Sequence, residues 1–261
     1  MSEDKFTLET VLSVKRWASN LFSFTMTRPA HFRFSAGQFA RIGIDVDGEM
    51  VVRAYSVVSS PLEETLEFFS IVVPDGAFTS RLQHLKEGDQ IYLEKIPYGF
   101  LTLARYQEPL PQDLWLLATG TGLAPFLALS RDPEVYERFD KIILVHGVRH
   151  TDDLAYREMF EKELPNDEIF GEWYREKFIY YPTTTRDDSE HTGRITDLMQ
   201  SGKLFEDVGL PQMNKDDDRV LICGSMPFNA DVSKILDGFG LTVSPRMGVQ
   251  ADYVIERAFV G

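Results

Sequence analysis

Residues 116–129 read LLATGTGLAPFLAL and place a compact apolar strand directly before a glycine-containing turn. A helix is expected to begin near Ala124 and Pro125, because proline is favoured in the first turn of a helix. Gly120 and Gly122 let the backbone approach a ligand closely, and the N-terminus of a helix favours a diphosphate group. Pro125 stands where the G-x-G-x-x-G dinucleotide motif has its third glycine, so a tight turn without a ligand is the alternative.

The chain around this stretch alternates strands with helices. Apolar strands are expected at LWLLAT, KIILVHG, KFIYYPT and RVLICG. Segments of helical character lie between or after them at LAPFLALS, DDLAYREMFEKEL, RITDLMQSG and NADVSKILDGFG. Fully apolar strands in such an alternation indicate a parallel sheet that is covered by helices.

The first hundred residues follow a different pattern. Short β-prone runs occur at TLETVLSVKRW, LFSFTMT, QFARIGIDV, MVVRAYSVV, TLEFFSIVV and QIYLEKI, with turn residues between them. Such runs predict an antiparallel barrel or sandwich, which one helical piece, FTSRLQHL, interrupts. We place the domain boundary in the following proline-containing connector, which gives domains of residues 1–104 and 105–261.

Composition excludes several classes of protein. The net charge of −14 disfavours non-specific nucleic-acid binding. The single cysteine, Cys223, cannot form an internal disulfide or hold a four-cysteine iron–sulfur cluster. The N-terminus lacks the apolar core of a signal peptide, and no apolar run approaches membrane-spanning length. We therefore expect a cytoplasmic protein without a membrane partner.

One stretch of this acidic chain contains no acid. Residues 10–44 carry no aspartate or glutamate, but they include five basic residues: Lys15, Arg16, Arg28, Arg33 and Arg41. A local positive zone would steer an acidic partner towards the protein. The alternative is that these side chains are the outward residues of barrel strands and loops.

The stretch VVRAYSVVSS, residues 51–60, places a guanidinium inside a β-prone run. Arg53 and Tyr55 share one face of an ideal strand, and Ser56 lies on the other. A guanidinium suits phosphate oxygens and an aromatic ring suits stacking, so the pair fits a ligand with a phosphate and a flat ring. The alternative is an edge-strand arginine paired with a carboxylate, with Tyr55 covering the core.

Two further stretches lie where open α/β sheets bind ligands. Arg186 and Arg194 follow the third strand in TTTRDDSEHTGR, where they suit the 2′-phosphate of NADP or are solvated loop charges. Cys223 and Gly224 end the fourth strand in LICGSMP, although a lone buried cysteine is commonly a small apolar residue. We find no zinc motif, no G-x-S-x-G nucleophile and no acid–base pair in the residue spacing.

Seven stretches, taken in order, resemble the ferredoxin–NADP⁺ reductase family, and most closely its bacterial ferredoxin/flavodoxin reductases. They are RAYS, PDGAFTSRL, ATGTGLAPF, LVHGVR, TTTRD…TGR, LICGSMP and YVIERAFVG, and the similarity covers essentially the whole chain. The resemblance implies an FAD-binding antiparallel β-barrel followed by an NADP-binding α/β domain, with the flavin between them.

The resemblance also implies contacts with FAD. Arg53 would meet the pyrophosphate, Tyr55 would stack on the flavin ring and Ser56 would lie near flavin N5. Ser56 then needs a bend or a bulge in its strand. Further FAD positions are Ala54 in the same motif, the aromatic Phe69, and Ala77, Phe78 and Thr79 beside the phosphates.

On the nucleotide side, the resemblance places Arg149, Arg186 and Arg194 at the NADP phosphates. It places Thr121 between the two cofactors. The turn Cys223-Gly224-Ser225 would lie beside the nicotinamide path, and Asp231 in the following helix. Plant-type members end in a tyrosine on the flavin, whereas here Ala258 would lie by the isoalloxazine and Phe259 near the FAD adenine. Ser56, Cys223 and Ala258 are therefore the expected catalytic positions.

The implied activity is hydride transfer between NADPH and non-covalent FAD, and single-electron transfer between FAD and ferredoxin or flavodoxin. Both partners would be acidic carriers, and the protein would act as a monomer. Two alternatives stay open: an NADH-dependent flavin reductase or oxygenase component, and a flavin-binding sensor without turnover. The single cysteine and the paired arginines argue against the first alternative, and the intact nucleotide half argues against the second.

Overall fold

The computed structural model describes residues 5–73, 76, 78–106, 111–244 and 249–258. The predicted site residues Ala77 and Phe259 lie outside these residues. Within them the chain forms a six-stranded and a five-stranded sheet. No helix in the described ranges is both long and apolar enough to cross a membrane.

The first six strands form one antiparallel sheet, as the sequence predicts. Their bounds are β1 Phe6–Ala18, β2 Leu21–Thr27, β3 Phe39–Val46, β4 Glu49–Ser56, β5 Thr65–Ile71 and β6 Gln90–Glu94. They lie in the order β4-β3-β6-β1-β2-β5. An antiparallel bridge between Val57 and Phe68 brings the two outer strands together and closes the barrel. Apolar side chains such as Phe22, Phe24 and Phe68 fill its core.

A two-residue hairpin sets the register of the strand that carries RAYS. Asp47 and Gly48 have φ values of 56° and 88°, which suits the Asp-Gly preference of tight hairpins. The ladder then runs regularly from the Val46–Glu49 pair to the Phe39–Ser56 pair. The bulge expected before Ser56 is therefore absent. Instead, Ser56 is the last residue of β4, and the chain crosses to β5 at Val57.

The remaining five strands form a parallel sheet, also as predicted. Their bounds are β7 Asp113–Thr119, β8 Lys141–Val148, β9 Phe178–Thr184, β10 Asp218–Gly224 and β11 Tyr253–Arg257. They lie in the order β11-β10-β7-β8-β9, with every neighbouring pair parallel. The chain order reverses between β7 and β10, where such sheets form a crevice for ligands.

In the described ranges, seven short α-helices accompany the sheets. Their bounds are α1 Thr79–Leu82 beside the barrel, and α2 Ala124–Leu129, α3 Pro133–Arg138, α4 Gly171–Lys177, α5 Ile195–Gln200, α6 Lys203–Val208 and α7 Met226–Gly238 around the parallel sheet. Apolar clusters cover both faces of the parallel sheet. The predicted helix start at Ala124 is confirmed, after a 3₁₀ turn over Gly120–Leu123.

Two elements differ from the sequence prediction. The C-terminal YVIER forms a fifth parallel strand, β11, which the apolar runs did not indicate. The segment DDLAYREMFEKEL is not one regular helix, because Tyr156 has a positive φ of 62°. A 3₁₀ turn, Thr151–Asp153, precedes Tyr156, and a π-helical turn, Met159–Glu163, follows it.

Arg131 and Tyr156 join the two domains. The Arg131 guanidinium donates to Glu63 Oε1 at 2.7 Å, to the Val58 carbonyl, and to the Leu127 carbonyl at 3.1 Å. The Tyr156 hydroxyl donates to Glu67 Oε1 at 2.7 Å. Arg131 thus connects the chain just after β4 with α2, and both segments lead to the crevice described below.

Candidate active site

The crevice lies where the carboxyl ends of β7 and β10 meet. The two strands pair from Asp113 with Asp218 up to Ala118 with Cys223. The turn after β7 carries Thr121, and β10 ends at Gly224, directly before Ser225 and α7. The parallel sheet therefore brings the two predicted turns side by side, at the edge where open α/β sheets bind ligands.

Gly122 and Gly224 allow these two turns to pack against each other. A Cβ at Gly122 would lie 2.1 Å from the Cys223 carbonyl oxygen, and one at Gly224 would lie 2.4 Å from Thr119 Oγ1. Any larger residue would force the turns apart. At least part of the glycine pattern is thus required by the contact between the two turns.

β11 completes the crevice on its other side. Cys223 pairs with Glu256 and Gly224 with Arg257, and the Ala258 amide donates to the Gly224 carbonyl at 3.1 Å. The predicted catalytic positions Cys223 and Ala258 thus lie on adjoining chains. Burial, with the nearby Glu256 charge, raises the pKa of the Cys223 thiol well above its usual range. The thiol is therefore neutral at physiological pH.

Glu256 brings an acid to the crevice that the sequence analysis missed. Ser56 Oγ donates to Glu256 Oε1 at 3.4 Å, which connects the end of β4 with β11. Burial raises the pKa of Glu256 to about 7, although the hydrogen bond from Ser56 opposes this shift. A carboxyl group with such a pKa exchanges its proton near neutral pH. The local signal was an acid two residues before Ala258 inside YVIERAF.

Gly99 and Phe39 border the same carboxyl group. Gly99 has a φ of +105°, and a Cβ there would lie 3.2 Å from Glu256 Oε2 and 2.9 Å from Phe39 Cδ1. The Phe39 ring also stacks on Tyr98 at a centroid distance of 5.8 Å. Phe39 is also the ladder partner of Ser56, so these barrel residues and Ser56 border Glu256 together.

Arg53 and Tyr55 lie on the same strand as Ser56. The Arg53 side chain is exposed, bonds the neighbouring Val52 carbonyl at 2.9 Å and forms no ion pair within the described part of the chain. The ion-paired alternative for Arg53 thus finds no partner there. The Tyr55 hydroxyl lies 3.0 Å from Ser70 Oγ, and burial raises the pKa of Tyr55 to about 12. Ala54, between them, is exposed.

The other predicted FAD positions occupy different surroundings. Phe69 is only 4% exposed and packs edge-on against Tyr156, so its ring faces the domain interface. Phe78 is buried beneath Tyr55, with ring centroids 5.9 Å apart. Thr79 Oγ1 accepts a hydrogen bond from the Val73 amide at 3.0 Å. Phe78 therefore adjoins the RAYS strand, whereas Thr79 bonds the segment after β5 and Phe69 faces the domain interface.

The three predicted phosphate arginines lie after β8 and β9. Arg149 and Arg186 are neighbours, because the Arg186 amide donates to the Arg149 carbonyl at 3.0 Å. Arg194 precedes α5 and lines a cavity of about 470 Å³ between α5 and α7. Asp231 and Lys234 line the same cavity from α7. All three arginine side chains are exposed, and in the described ranges none forms an ion pair.

His146 is a second buried titratable residue that the sequence analysis did not single out. Its Nε2 lies 3.3 Å from the Gly120 carbonyl oxygen, directly under the turn after β7. Burial lowers the pKa of His146 to about 4, so the imidazole is neutral. His146 therefore supports the turn as a neutral hydrogen-bond donor.

Most of the basic side chains within residues 10–44 contact other residues of the barrel. Arg28 donates to the Phe32, Pro61 and Glu63 carbonyls, and Arg41 lies 3.0 Å from Glu94. Arg16 donates to the Gln83 carbonyl, and Lys15 lies over the Trp17 ring at 3.8 Å. Arg33 is exposed. The positive zone is thus narrower than the sequence suggests.

Known proteins share this two-domain arrangement. An oxidoreductase FAD-binding domain model matches residues 6–102, and an oxidoreductase NAD-binding domain model matches residues 116–234. The chain is 55% identical over 254 residues to the ferredoxin–NADP reductase of Azotobacter vinelandii, with 97% of both chains covered. The chain belongs to the ferredoxin–NADP reductase family. The expected boundary after residue 104 falls between the two matched ranges and stays a prediction.

Other members of the ferredoxin–NADP reductase family match as well. The flavodoxin/ferredoxin–NADP reductase of Escherichia coli K12 is 38% identical over 82% of this chain and 83% of its own. A crystal structure of a ferredoxin NADP⁺ reductase from Neisseria gonorrhoeae with bound FAD and NADP gives a TM-score of 0.88. It is 31% identical and covers 98% of this chain and 99% of that chain. The predicted fold, the reductase activity and the pair FAD and NADP are thereby confirmed.

Proposed function

We propose that this reductase moves electrons between NADPH and ferredoxin or flavodoxin at the crevice between the barrel and the parallel sheet. The observation that carries this proposal is the contact of Ser56 with Glu256. It brings the RAYS strand of the barrel against the strand that borders the Cys223–Gly224 turn.

The residues of the crevice fit FAD. Arg53 is an exposed guanidinium without an ion pair in the described ranges, which suits it to a pyrophosphate. Tyr55 is neutral and partly buried, which suits it to a flavin ring. Ala54 lies in the same strand, Phe78 packs against Tyr55, and Thr79 follows Phe78. We propose that Ala77 and Phe259, outside the described residues, complete the FAD site. Phe69 would contribute to the FAD site only indirectly, by packing edge-on against Tyr156.

Bound FAD would supply the hydride and single-electron chemistry that links NADPH to the carrier. The chain's own contribution near the reacting atoms is a proton store. Glu256 Oε1 accepts a hydrogen bond from Ser56 Oγ, and the carboxyl has a pKa of about 7. Glu256 can therefore hold a proton or release it through the Ser56 hydroxyl near neutral pH.

The turns after β7 and β10 would position the nicotinamide of NADPH. The contacts of Gly122 and Gly224 hold these turns together, and Thr121 and Ser225 are their partly or fully exposed residues. The Cys223 thiol is buried and neutral, so it adds no charge next to Glu256. Ala258 carries only a methyl group, so no bulky side chain at this position needs to move before the nicotinamide can enter.

The exposed arginines would bind the adenosine end of NADPH. Arg149 and Arg186 lie side by side, and Arg194 faces Asp231 across the cavity between α5 and α7. Guanidinium groups suit the 2′-phosphate that distinguishes NADP from NAD. The same arrangement favours NADPH over NADH and argues against an NADH-dependent flavin reductase.

An acidic carrier would dock on the remaining basic side chains of the barrel. Lys15 and Arg33 are exposed, and Arg16 is exposed although it also donates to the Gln83 carbonyl, whereas Arg28 and Arg41 are held by the barrel. Electrostatic attraction of this kind accelerates association at low salt. We also propose that the protein acts as a cytoplasmic monomer.

The experiment is an anaerobic reduction assay on the purified holoprotein. We expect NADPH to bleach the flavin absorption, and the reduced protein to pass electrons to purified ferredoxin or flavodoxin. The variant Glu256→Gln should retain FAD and bind NADPH but lose the rate component that titrates near pH 7. A protein that binds no FAD, or whose flavin NADPH cannot reduce, would contradict the proposal.

A further inference from the structure

The loops after β8 and β9 remain paired beyond the ends of their strands. The Thr185 amide donates to the Val148 carbonyl at 3.1 Å, and the Arg186 amide donates to the Arg149 carbonyl at 3.0 Å. The pairing places the exposed Arg149 and Arg186 side by side at the carboxyl edge of the sheet. Their relative position therefore depends on how firmly the two loops are joined.

The carboxylate of Asp187 joins them. Its Oδ2 accepts hydrogen bonds from the Thr151 amide at 2.6 Å and from Thr151 Oγ1 at 3.0 Å. Its Oδ1 lies 2.8 Å from His150 Nδ1. The bond from the Thr151 amide, with that from His150, lowers the pKa of Asp187, so the carboxylate is ionised at neutral pH. One side chain from the β9 loop thus holds two consecutive residues of the β8 loop.

The backbone of Asp187 is held as well. Thr184 Oγ1 donates to the Asp187 carbonyl at 2.8 Å and also lies 2.8 Å from Ser189 Oγ. Both ends of the Arg186–Asp187 peptide segment are therefore fixed, one to the β8 loop and one to the end of β9. Arg186 lies between these fixed points.

This arrangement is electrostatically unexpected for a phosphate site. A carboxylate next to two arginines weakens the binding of an anion by simple Coulomb repulsion. Asp187, however, bonds Thr151 and His150 and forms no ion pair with Arg149 or Arg186. The hydrogen bonds of the Asp187 carboxylate are thus made to the β8 loop, and the guanidinium groups of Arg149 and Arg186 remain available for a ligand.

We infer that Asp187 is a positioning residue that holds Arg186 beside Arg149 and thereby sets the preference for a nucleotide with a 2′-phosphate. The inference rests on the proposed use of NADPH. Without the carboxylate, the two loops would lose three hydrogen bonds, and the arginines would have to be ordered by the ligand itself. Ordering the arginines would then reduce the binding free energy of nucleotides that carry the 2′-phosphate, because these are the nucleotides that the arginines contact.

Asp188 provides a matched control. It is the next residue, it is exposed, and within the described part of the chain it forms no hydrogen bond or ion pair. Asp187→Ala and Asp188→Ala each remove one negative charge close to the arginines. Coulomb repulsion alone predicts that both variants bind an anion more tightly. The positioning role predicts weaker binding by Asp187→Ala and equal or tighter binding by Asp188→Ala.

The test measures binding of 2′,5′-ADP and 5′-AMP to the FAD-loaded protein by titration calorimetry. We expect Asp187→Ala to raise the Kd for 2′,5′-ADP about tenfold, the size of one lost charge-assisted hydrogen bond. The Kd for 5′-AMP should stay unchanged. Asp188→Ala should bind 2′,5′-ADP as tightly as the wild type or more tightly. Asp187→Asn keeps one acceptor oxygen for Thr151, so its Kd should fall between those of the wild type and Asp187→Ala.

Steady-state rates with NADPH and NADH provide the second readout. In Asp187→Ala we expect the KM for NADPH to rise with kcat unchanged, while kcat/KM for NADH stays at the wild-type value and demonstrates an intact fold. If Asp187→Ala folds poorly, Asp187→Asn and Thr151→Val test the same bonds more gently. Wild-type affinity for 2′,5′-ADP in all three variants would overturn the inference. Failure of the wild type itself to bind 2′,5′-ADP would instead contradict the proposed use of NADPH.

Discussion

Ser56 at the end of β4 and Glu256 in β11 are hydrogen-bonded, with 3.4 Å between Oγ and Oε1, although 200 residues separate them in the chain. The contact joins the barrel to the last strand of the parallel sheet. It also places a carboxyl group with a pKa of about 7 next to the turn that carries Cys223 and Gly224. A proton-exchanging group is thus formed only when both domains are in place.

The first prediction concerns this carboxyl group. In Glu256→Gln, electron transfer from NADPH to an external acceptor should lose its dependence on a group with a pKa near 7, because glutamine cannot titrate. The measurement is the pH profile of the rate between pH 5 and 9. Ser56→Ala, which removes the hydrogen bond that opposes the shift, should move the midpoint to higher pH. An unchanged profile in Glu256→Gln would show that another group titrates.

The second prediction concerns the contact between the turns after β7 and β10. Gly122→Ala would place a Cβ 2.1 Å from the Cys223 carbonyl oxygen, which the backbone can relieve only by separating the turns. We expect a loss of about 1–3 kcal/mol in unfolding free energy and a large loss of NADPH-dependent flavin reduction. Denaturant titration and stopped-flow absorbance measure the two effects.

Gly238→Ala is the control for this substitution. A Cβ at Gly238 has no neighbouring atom within 4 Å, and the residue ends α7. Alanine should therefore leave the stability unchanged or raise it by up to about 1 kcal/mol through its better helix propensity. Equal destabilisation by both substitutions would argue against a specific contact at Gly122.

The third prediction concerns the domain interface. Arg131→Met removes the ion pair with Glu63 and the bonds to the Val58 and Leu127 carbonyls. We expect unfolding free energy to fall by about 2 kcal/mol, because Glu63 and a carbonyl lose a partly buried partner. The rate of flavin reduction should fall together with the stability, because Arg131 connects the chain just after β4 with α2.

Arg157→Met offers a comparison at an exposed ion pair. Arg157 pairs with Glu161 one helical turn away, at 2.5 Å, and both side chains are exposed. Pairs of this kind contribute only about 0.3–0.5 kcal/mol. A similar loss in both arginine variants would mean that Arg131 does not hold the domains together.

The fourth prediction concerns pH and stability. Burial, together with the charges of Asp218, Asp140 and Asp217, raises the pKa of Asp113 from 3.8 to about 6. The folded state therefore binds this proton more tightly than the unfolded state, and stability is lost as pH rises from about 4 to about 6. Asp113→Asn should be more stable than the wild type at pH 8 by about 1 kcal/mol, a value reduced for solvent screening.

The stability difference between Asp113→Asn and the wild type should depend on pH. At pH 4 the wild-type carboxyl is protonated in the folded state and about half protonated in the unfolded state, so most of the advantage of Asp113→Asn should be lost. Chemical denaturation at pH 4 and pH 8 measures the difference. An advantage as large at pH 4 as at pH 8 would contradict the assignment.

Much of this architecture follows from local sequence patterns. The apolar runs predict four of the five parallel strands, and LLATGTGLAPFLAL predicts the strand, turn and helix around Gly120 and Gly122. These elements carry their own periodicity and turn residues. β11 does not, because YVIER contains two charged residues and becomes a strand by pairing with β10.

The site was predictable only in part, for a similar reason. Arg53, Tyr55 and Ser56 lie in one strand, so their proximity could be inferred from the sequence. The raised pKa of Glu256 depends on burial between β4 and β10, which no local pattern records. Likewise, the run of basic residues in the sequence does not indicate that the Arg28 guanidinium donates to three backbone carbonyls.

Anaerobic stopped-flow mixing of the FAD-loaded protein with NADPH or NADH, followed by addition of ferredoxin or flavodoxin, tests the central claim most directly. The proposed function predicts rapid loss of the oxidised-flavin absorption with NADPH and much slower loss with NADH. It further predicts that the absorption recovers as the added carrier becomes reduced. A flavin that NADPH leaves oxidised, or that cannot reduce either carrier once it is itself reduced, would contradict that claim.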